Sequence, residues 1–241
     1  MAIDFKKQEL LNLYYCYRES YEELLSKIEP QIVGVEYGSG GEVLHRGYYC
    51  PSPVLDIVIG GANRGRLIKR PRKNYIYNYS YFKDSSGKII MIDNYDALCV
   101  EAPEKILCRR EFLIYHDDEV TAPIYDVIRG RISIASISNC KYDKEGKIEA
   151  YRIMHASTSR EENGELYTNE KGCQIYAETY FYDSEGLLER SILADQFKQF
   201  TTEYSYRYYH DPKGYLSYYE VENITNGNRF YDVPKSQRRK V

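Results

Sequence analysis

The stretch YFYDSEGLL, residues 180–188, decides the fold. Its Asp183 is placed to accept hydrogen bonds from the backbone of its own turn, and Gly186 supplies the positive φ that lets a tight hairpin close. The same phrase, an aromatic or Cys, two residues, then Asp-x-x-Gly-x-Ile/Leu, recurs as YFKDSSGKI at 81–89, CKYDKEGKI at 140–148 and YYHDPKGYL at 208–216. Four copies predict four β-hairpins with Tyr81, Cys140, Tyr180 and Tyr208 at equivalent strand positions. The intervals between the copies are uneven, which excludes a propeller or a regular solenoid.

Outward from these turns the chain reads as a meander. Strands are expected at 88–92, 106–115, 131–142, 147–155, 174–182, 187–193, 202–209 and 215–221, joined by turns rather than by helix-length crossovers, so the pairing is antiparallel. Earlier strands are expected at 31–37, 43–49 and 54–59, and Tyr75, Tyr77, Tyr79 and Tyr81 alternate so that all four line one sheet face. Segments 94–104, 117–130 and 157–172 are polar or proline-containing and read as loops or short helices, the last as a mobile tip. Before the strands, apolar residues at spacings of three and four predict one helix over 4–29, stopped by Pro30. The expected fold is α+β and predominantly antiparallel β, with a long N-terminal helix packed on a multistranded hairpin sheet. Residues 1–30 form the helix, 31–234 the meander of the same domain, and 235–241 a basic tail.

The chain has 241 residues, with 28 Tyr against 7 Phe and no Trp, so most of its aromatic surface carries a hydroxyl that needs water or a partner. Tyrosine suits a sheet that is wet on one side. No apolar run reaches the ~20 residues of a membrane helix, and the first residues lack the apolar core and cleavage site of a signal peptide. A cytoplasmic protein without membrane association is expected. The six cysteines have no C-x-x-C spacing and read as reduced thiols, mostly buried. The net charge is −3, yet residues 64–73 and the tail from Lys235 are purely basic, which leaves an acidic body.

The copies YFYDSEGLL and CKYDKEGKI resemble the YD-repeat unit of Rhs and related polymorphic-toxin shell proteins, whose pattern is Tyr-x-Tyr-Asp-x-x-Gly-x-Leu/Ile. Only the first matches throughout, and the other two copies lack the Tyr before Asp. The resemblance implies a similar hairpin sheet.

The residues offer three kinds of chemistry. The bases Arg64, Arg66, Arg70 and Arg72, followed by Tyr75, Tyr77, Tyr79 and Tyr81, have the composition of a single-stranded nucleic-acid site, with cations on phosphates and rings under bases. The segment lacks both the P-loop and the dinucleotide-binding glycine spacing. His116 beside Asp117, Asp118 and Glu119 is the one histidine–carboxylate cluster, and His155 is a second histidine around which an enzyme site could assemble. No nucleophile elbow, Cys–His pair or metal-ligand spacing is present, so no catalytic residue, metal or cofactor is expected. The favoured reading is a non-enzymatic protein-binding module, with the tyrosines, the basic segment and the 117–119 acids as its contact residues. Its most specific form is an immunity protein that neutralises a polymorphic toxin, since tyrosines anchor interfaces and an acidic surface complements the basic cleft of a nuclease. Nucleic-acid binding is the alternative, and an enzyme of unknown class the third reading.

Overall fold

Each Asp-x-x-Gly copy closes a hairpin in the same way. In the computed structural model, which describes residues 5–39, 66–68, 78–95, 107–128, 131–160, 166–198 and 200–232, Asp143 Oδ1 accepts from the backbone N–H of Glu145 at 2.8 Å and of Lys147 at 2.9 Å. Asp84, Asp183 and Asp211 make the equivalent pair of bonds. Gly146 follows at φ 79°, and the backbone N–H of Asp143 donates to Lys147 O to finish the loop. The strand register shifts by one residue beside all four turns, at 82/83, 141/142, 181/182 and 209/210. The repeat therefore encodes a turn together with its bulge.

Two helices, α1 (Lys7–Tyr17) and α2 (Tyr21–Ile28), and a 3-10 turn (Glu29–Gln31) precede the strands. The strands are β1 (Gly34–Ser39), β2 (Arg66–Ile68), β3 (Tyr79–Lys83), β4 (Ile89–Tyr95), β5 (Leu107–Phe112), β6 (Ile114–Tyr115), β7 (Glu119–Ile128), β8 (Arg131–Tyr142), β9 (Ile148–His155), β10 (Thr158–Arg160), β11 (Leu166–Thr168), β12 (Gln174–Tyr182), β13 (Leu188–Phe197), β14 (Phe200–His210), β15 (Leu216–Asn223) and β16 (Arg229–Asp232). Fourteen of them form one antiparallel sheet in the order β16-β15-β14-β13-β12-β9-β8-β7-β5-β4-β3-β1-β2, with β6 continuing beside β7, and β10 and β11 form a separate hairpin. The α+β meander with its N-terminal helical layer is thus the observed architecture.

Alternation along the strands gives the sheet two faces. On the helix face, Leu10, Tyr14 and Tyr21 pack with Phe112, Tyr125 and Met154, and full burial of an apolar side chain of this size contributes roughly 1.5–3 kcal/mol. On the tyrosine face, Tyr81, Tyr151, Tyr180, Tyr206, Tyr208 and Tyr219 belong to one buried cluster. Tyr115 and Tyr182, packed against this cluster, show what a hydroxyl adds where Phe would pack equally well. Tyr115 Oη donates to Ile89 O at 2.8 Å and Tyr182 Oη to Ile148 O at 2.9 Å. Both acceptors lie where a bulge disturbs the ladder beside an Asp-x-x-Gly turn, and a buried carbonyl there needs a donor from a side chain.

Four expectations are corrected. The helix read over 4–29 is two helices, because the chain tightens at 18–20, where Ser20 N–H donates to Tyr17 O at 3.1 Å and Ser20 Oγ donates back to Cys16 O at 3.0 Å. Segment 117–130, read as a loop, holds the central strand β7. Its Pro123 pairs with Ile137 of β8, while the pairing on its other side passes from Glu111 of β5 to Ile114 of β6. A missing N–H is tolerated at such an interruption. Segment 157–172 contains the β10–β11 hairpin. Within the basic segment, 66–68 is a strand paired with β1. The strands expected at 43–49 and 54–59, and the tail 235–241, lie outside the described residues.

Candidate functional site

Among the described residues, those singled out from sequence are not gathered in one place. Asp117 and Asp118 are exposed at the tip between β6 and β7, and Glu119 begins β7. Their bonds serve the turn: His116 N–H donates to Glu119 O at 2.8 Å, Tyr142 N–H donates to Asp118 O at 2.8 Å, and Asn139 Nδ2 donates to Glu119 Oε2 at 3.2 Å. Tyr81 is buried, with 4% exposure, and Tyr79 stacks on it at a centroid distance of 6.1 Å. Tyr81 thus offers no ring to a base or a partner. Arg66 lies in β2 opposite Ser39, while Arg64, Arg70, Arg72, Tyr75 and Tyr77 lie outside the described residues.

A row of polar residues that sequence reasoning did not assemble crosses the tyrosine face, toward the end away from the Asp-x-x-Gly turns. Arg109 Nε meets Asp126 Oδ1 at 2.9 Å across β5 and β7. On β8 and β9, Ser136 Oγ lies 2.8 Å from His155 Nδ1. The His155 ring stands edge-on to Tyr176, 6.1 Å between centroids. Gln174 Nε2 donates to Tyr176 Oη at 3.1 Å and to Asp195 Oδ1 at 3.1 Å. His155 is exposed at the surface, yet its ring is hydrated poorly enough by this packing that its pKa falls below the ordinary value of 6.5. The charge of Arg109 lowers it further, and Asp195 opposes both. The buried Ser136 and the exposed His155 look like a nucleophile and a base. However, the carboxylate of Asp195 is engaged by Gln174, so the serine–histidine–acid order of a hydrolase is not assembled. Among the described residues, no group of three or more His, Cys, Asp or Glu could hold a metal ion.

The second feature is apolar. Among the described residues, five of the nine exposed large hydrophobic side chains lie on the last four strands, β13 to β16, and their turns. Phe197 and Phe200 face each other as the final pair of the β13–β14 hairpin, with 44% and 67% exposure. Ile224 sits in the β15–β16 turn, whose backbone is tied to Glu203 of β14 by Ile224 N–H to Glu203 O at 2.8 Å. Phe230 is 55% exposed on the terminal strand β16. Beside it lies a cavity of about 290 Å³ lined by Ser205, Arg207, Glu220, Glu222, Arg229 and Phe230, in which Arg229 pairs with Glu222 at 2.8 Å. The sequence signal for this corner was Phe itself. The chain has only 7 Phe, and three of them carry no hydroxyl into an exposed position where Tyr would be better hydrated.

Comparison with known proteins adds little. No known family matches the chain, and no curated protein is similar to it. Among solved structures, a porin-like protein from Bacteroides uniformis aligns over 64% of this chain and 86% of its own, at 10% identity and a TM-score of 0.16. That likeness is too low to carry an argument about fold or activity. No helix among the described residues is long and apolar enough to cross a membrane.

Proposed function

We propose that this chain is a protein-binding module that seats its partner on the corner formed by the β13–β14 and β15–β16 turns. The observation that carries this reading is that exposed Phe197, Phe200 and Ile224 share the end of the sheet formed by these two turns, with exposed Phe230 further along the terminal strand, opposite Val221. Contiguous apolar surface rimmed by polar groups marks interaction sites, and aromatic anchors dominate interface energies. Two further features fit. Among the described residues β16 pairs only with β15, so its outer edge is open to an added strand. The adjacent cavity presents Arg207, Arg229, Glu220 and Glu222 as polar specificity groups. The tyrosines, by contrast, serve mainly the core.

A cognate toxin domain is the most specific partner this reading names, and it rests on the YD-like hairpins and the acidic body. Co-expression with a toxin encoded beside the gene tests that form: protection lost on Phe197→Ser/Phe200→Ser supports it, and absence of protection by the unaltered chain removes it. The general reading is tested by a photocrosslinking side chain in place of Phe200, compared with the same group in place of Lys144 at the opposite end of the sheet. A discrete adduct from position 200 alone is expected.

A further inference from the structure

A cavity of about 380 Å³ is lined by Lys7, Asn169, Lys171, Gly172 and Lys198. Its three lysines come from three separate elements: the first turn of α1, the turn between β11 and β12, and the β13–β14 turn. Elsewhere Lys6, Lys27, Lys83, Lys141 and Lys147 each hold a carboxylate within 3.0 Å. Among the described residues, Lys7, Lys171 and Lys198 hold none, and no carboxylate lines the cavity. The acids closest in sequence are committed to other partners: Glu9 to Lys6 at 2.9 Å, and Glu170 to Tyr15 Oη at 2.8 Å. An anion entering this cavity would meet three lysines and, among the described lining residues, no carboxylate to compete for them.

The backbone supports the same use. Lys6 and Lys198, at φ 47° and 57°, are the only non-glycine residues with positive φ among the described residues, and both flank this cavity in sequence or line it. Left-handed backbone of this kind gathers at functional sites. Helix α1 starts at Lys7 without a side-chain cap, so its first N–H groups are left for an external acceptor. Asn169 Oδ1 accepts from Gly172 N–H at 3.2 Å, leaving the amide nitrogen as a further donor. No aromatic ring lines the cavity among the described residues, so recognition rests on charge.

We propose that this cavity binds a small multivalent oxyanion of the class of a phosphate ester or pyrophosphate. The site is independent of the partner-binding reading, although Lys198 lies between Phe197 and Phe200. The test is calorimetric titration of the full chain with sodium pyrophosphate, inorganic phosphate and citrate at low salt. One saturable site is expected, tighter for pyrophosphate than for phosphate. Lys7→Gln, Lys171→Gln and Lys198→Gln should each weaken it at least about threefold, and about 0.3 M NaCl should weaken it further. Citrate binding as tight as pyrophosphate supports recognition by charge alone. Lys144→Gln, which changes a surface at the far end of the sheet, should leave the affinity unchanged. Lack of saturable binding, or equal weakening by Lys144→Gln, overturns the proposal. Lys171 and Lys198 are exposed, so their single variants keep the test valid should Lys7→Gln unfold.

Discussion

Asp93 and Arg110 face each other across β4 and β5, joined by two hydrogen bonds of 2.6 and 2.7 Å. Arg110 Nη1 extends a third bond to Tyr21 Oη at 2.9 Å, and Tyr95 Oη donates to Asp93 at 3.1 Å. This planar clamp is the polar seam between the helical layer and the sheet, and Asp93 within it is only 2% exposed. Removal of one member leaves the other charge buried and unpaired. Arg110→Ala should therefore destabilise by about 3–5 kcal/mol, whereas Tyr21→Phe, which keeps the ring, should cost about 1–2 kcal/mol. Urea unfolding of both variants, of Asp93→Ala and of Asp93→Ala/Arg110→Ala checks this; the double variant should lose less than the sum of the two singles, and a loss equal to that sum would show that the pair does not act as a unit.

The repeated turns predict a second hierarchy. A Cβ at Gly146 would meet nothing within 4 Å, so Gly146→Ala tests backbone conformation alone and should cost about 1–2 kcal/mol. Asp143→Ala removes two bonds to backbone N–H groups and should cost about 1–2 kcal/mol as well. The hydrogen bonding is the same at Asp183, so the melts of Asp143→Ala and Asp183→Ala should fall together, while at Gly186 an added Cβ would also meet Lys147 Nζ at 2.7 Å and displace that side chain. A neutral Asp143→Ala would deny the aspartate its role.

Alkaline pH should unfold the protein through its tyrosines. Burial holds the hydroxyls of Tyr151, Tyr180 and Tyr208 well above the ordinary value of 10, with the Glu178 carboxylate adding to the effect at Tyr180. Burial likewise raises Tyr115 and Tyr206 to about 12. The folded state thus keeps protons that the unfolded state has lost. This contribution is complete below pH 10 and disappears as pH rises through about 12. Absorbance titration should show one set of tyrosines ionising near 10 and the rest only with loss of structure. Reversible titration of all 28 near 10, fold intact, would contradict the packing.

His155 should titrate below 6.5 by NMR, because weak hydration of its ring and Arg109 both disfavour the imidazolium. Its neutral form is favoured in the fold, so stability contributed here is present above 6.5 and lost as pH falls toward the depressed pKa. Arg109→Ala should raise the value and Asp195→Asn should lower it. Opposite signs would place the charges wrongly.

The fold was largely legible because an Asp-x-x-Gly turn carries its own hydrogen-bond partners, so eight strands could be placed from turn chemistry and alternation. Strand β7 was hidden by Pro123, whose acceptance depends on the β5–β6 interruption, a tertiary fact. The helix break was hidden because Tyr14, Tyr17 and Tyr21 keep their spacing across it. The exposed Phe197–Phe200 corner was marked in the sequence only by Phe in place of Tyr, for a different reason. Period-two patterning shows which face a residue takes, but not how far cover extends along that face, so buried Tyr81 and exposed Phe200 look alike in sequence. Likewise, the polar row through Arg109, His155 and Asp195 takes one or two residues from each of six strands and leaves no local signature.

The central claim is that partners meet the Phe197–Phe200 corner while the repeated tyrosines stay inside. Photocrosslinking from position 200, against position 144 as the distant control, tests it most directly. The account predicts one discrete adduct from position 200, lost when Phe197 and Phe230 are changed to Ser in the same protein, and none from position 144. Adducts of equal yield from both positions, or from neither, would contradict it.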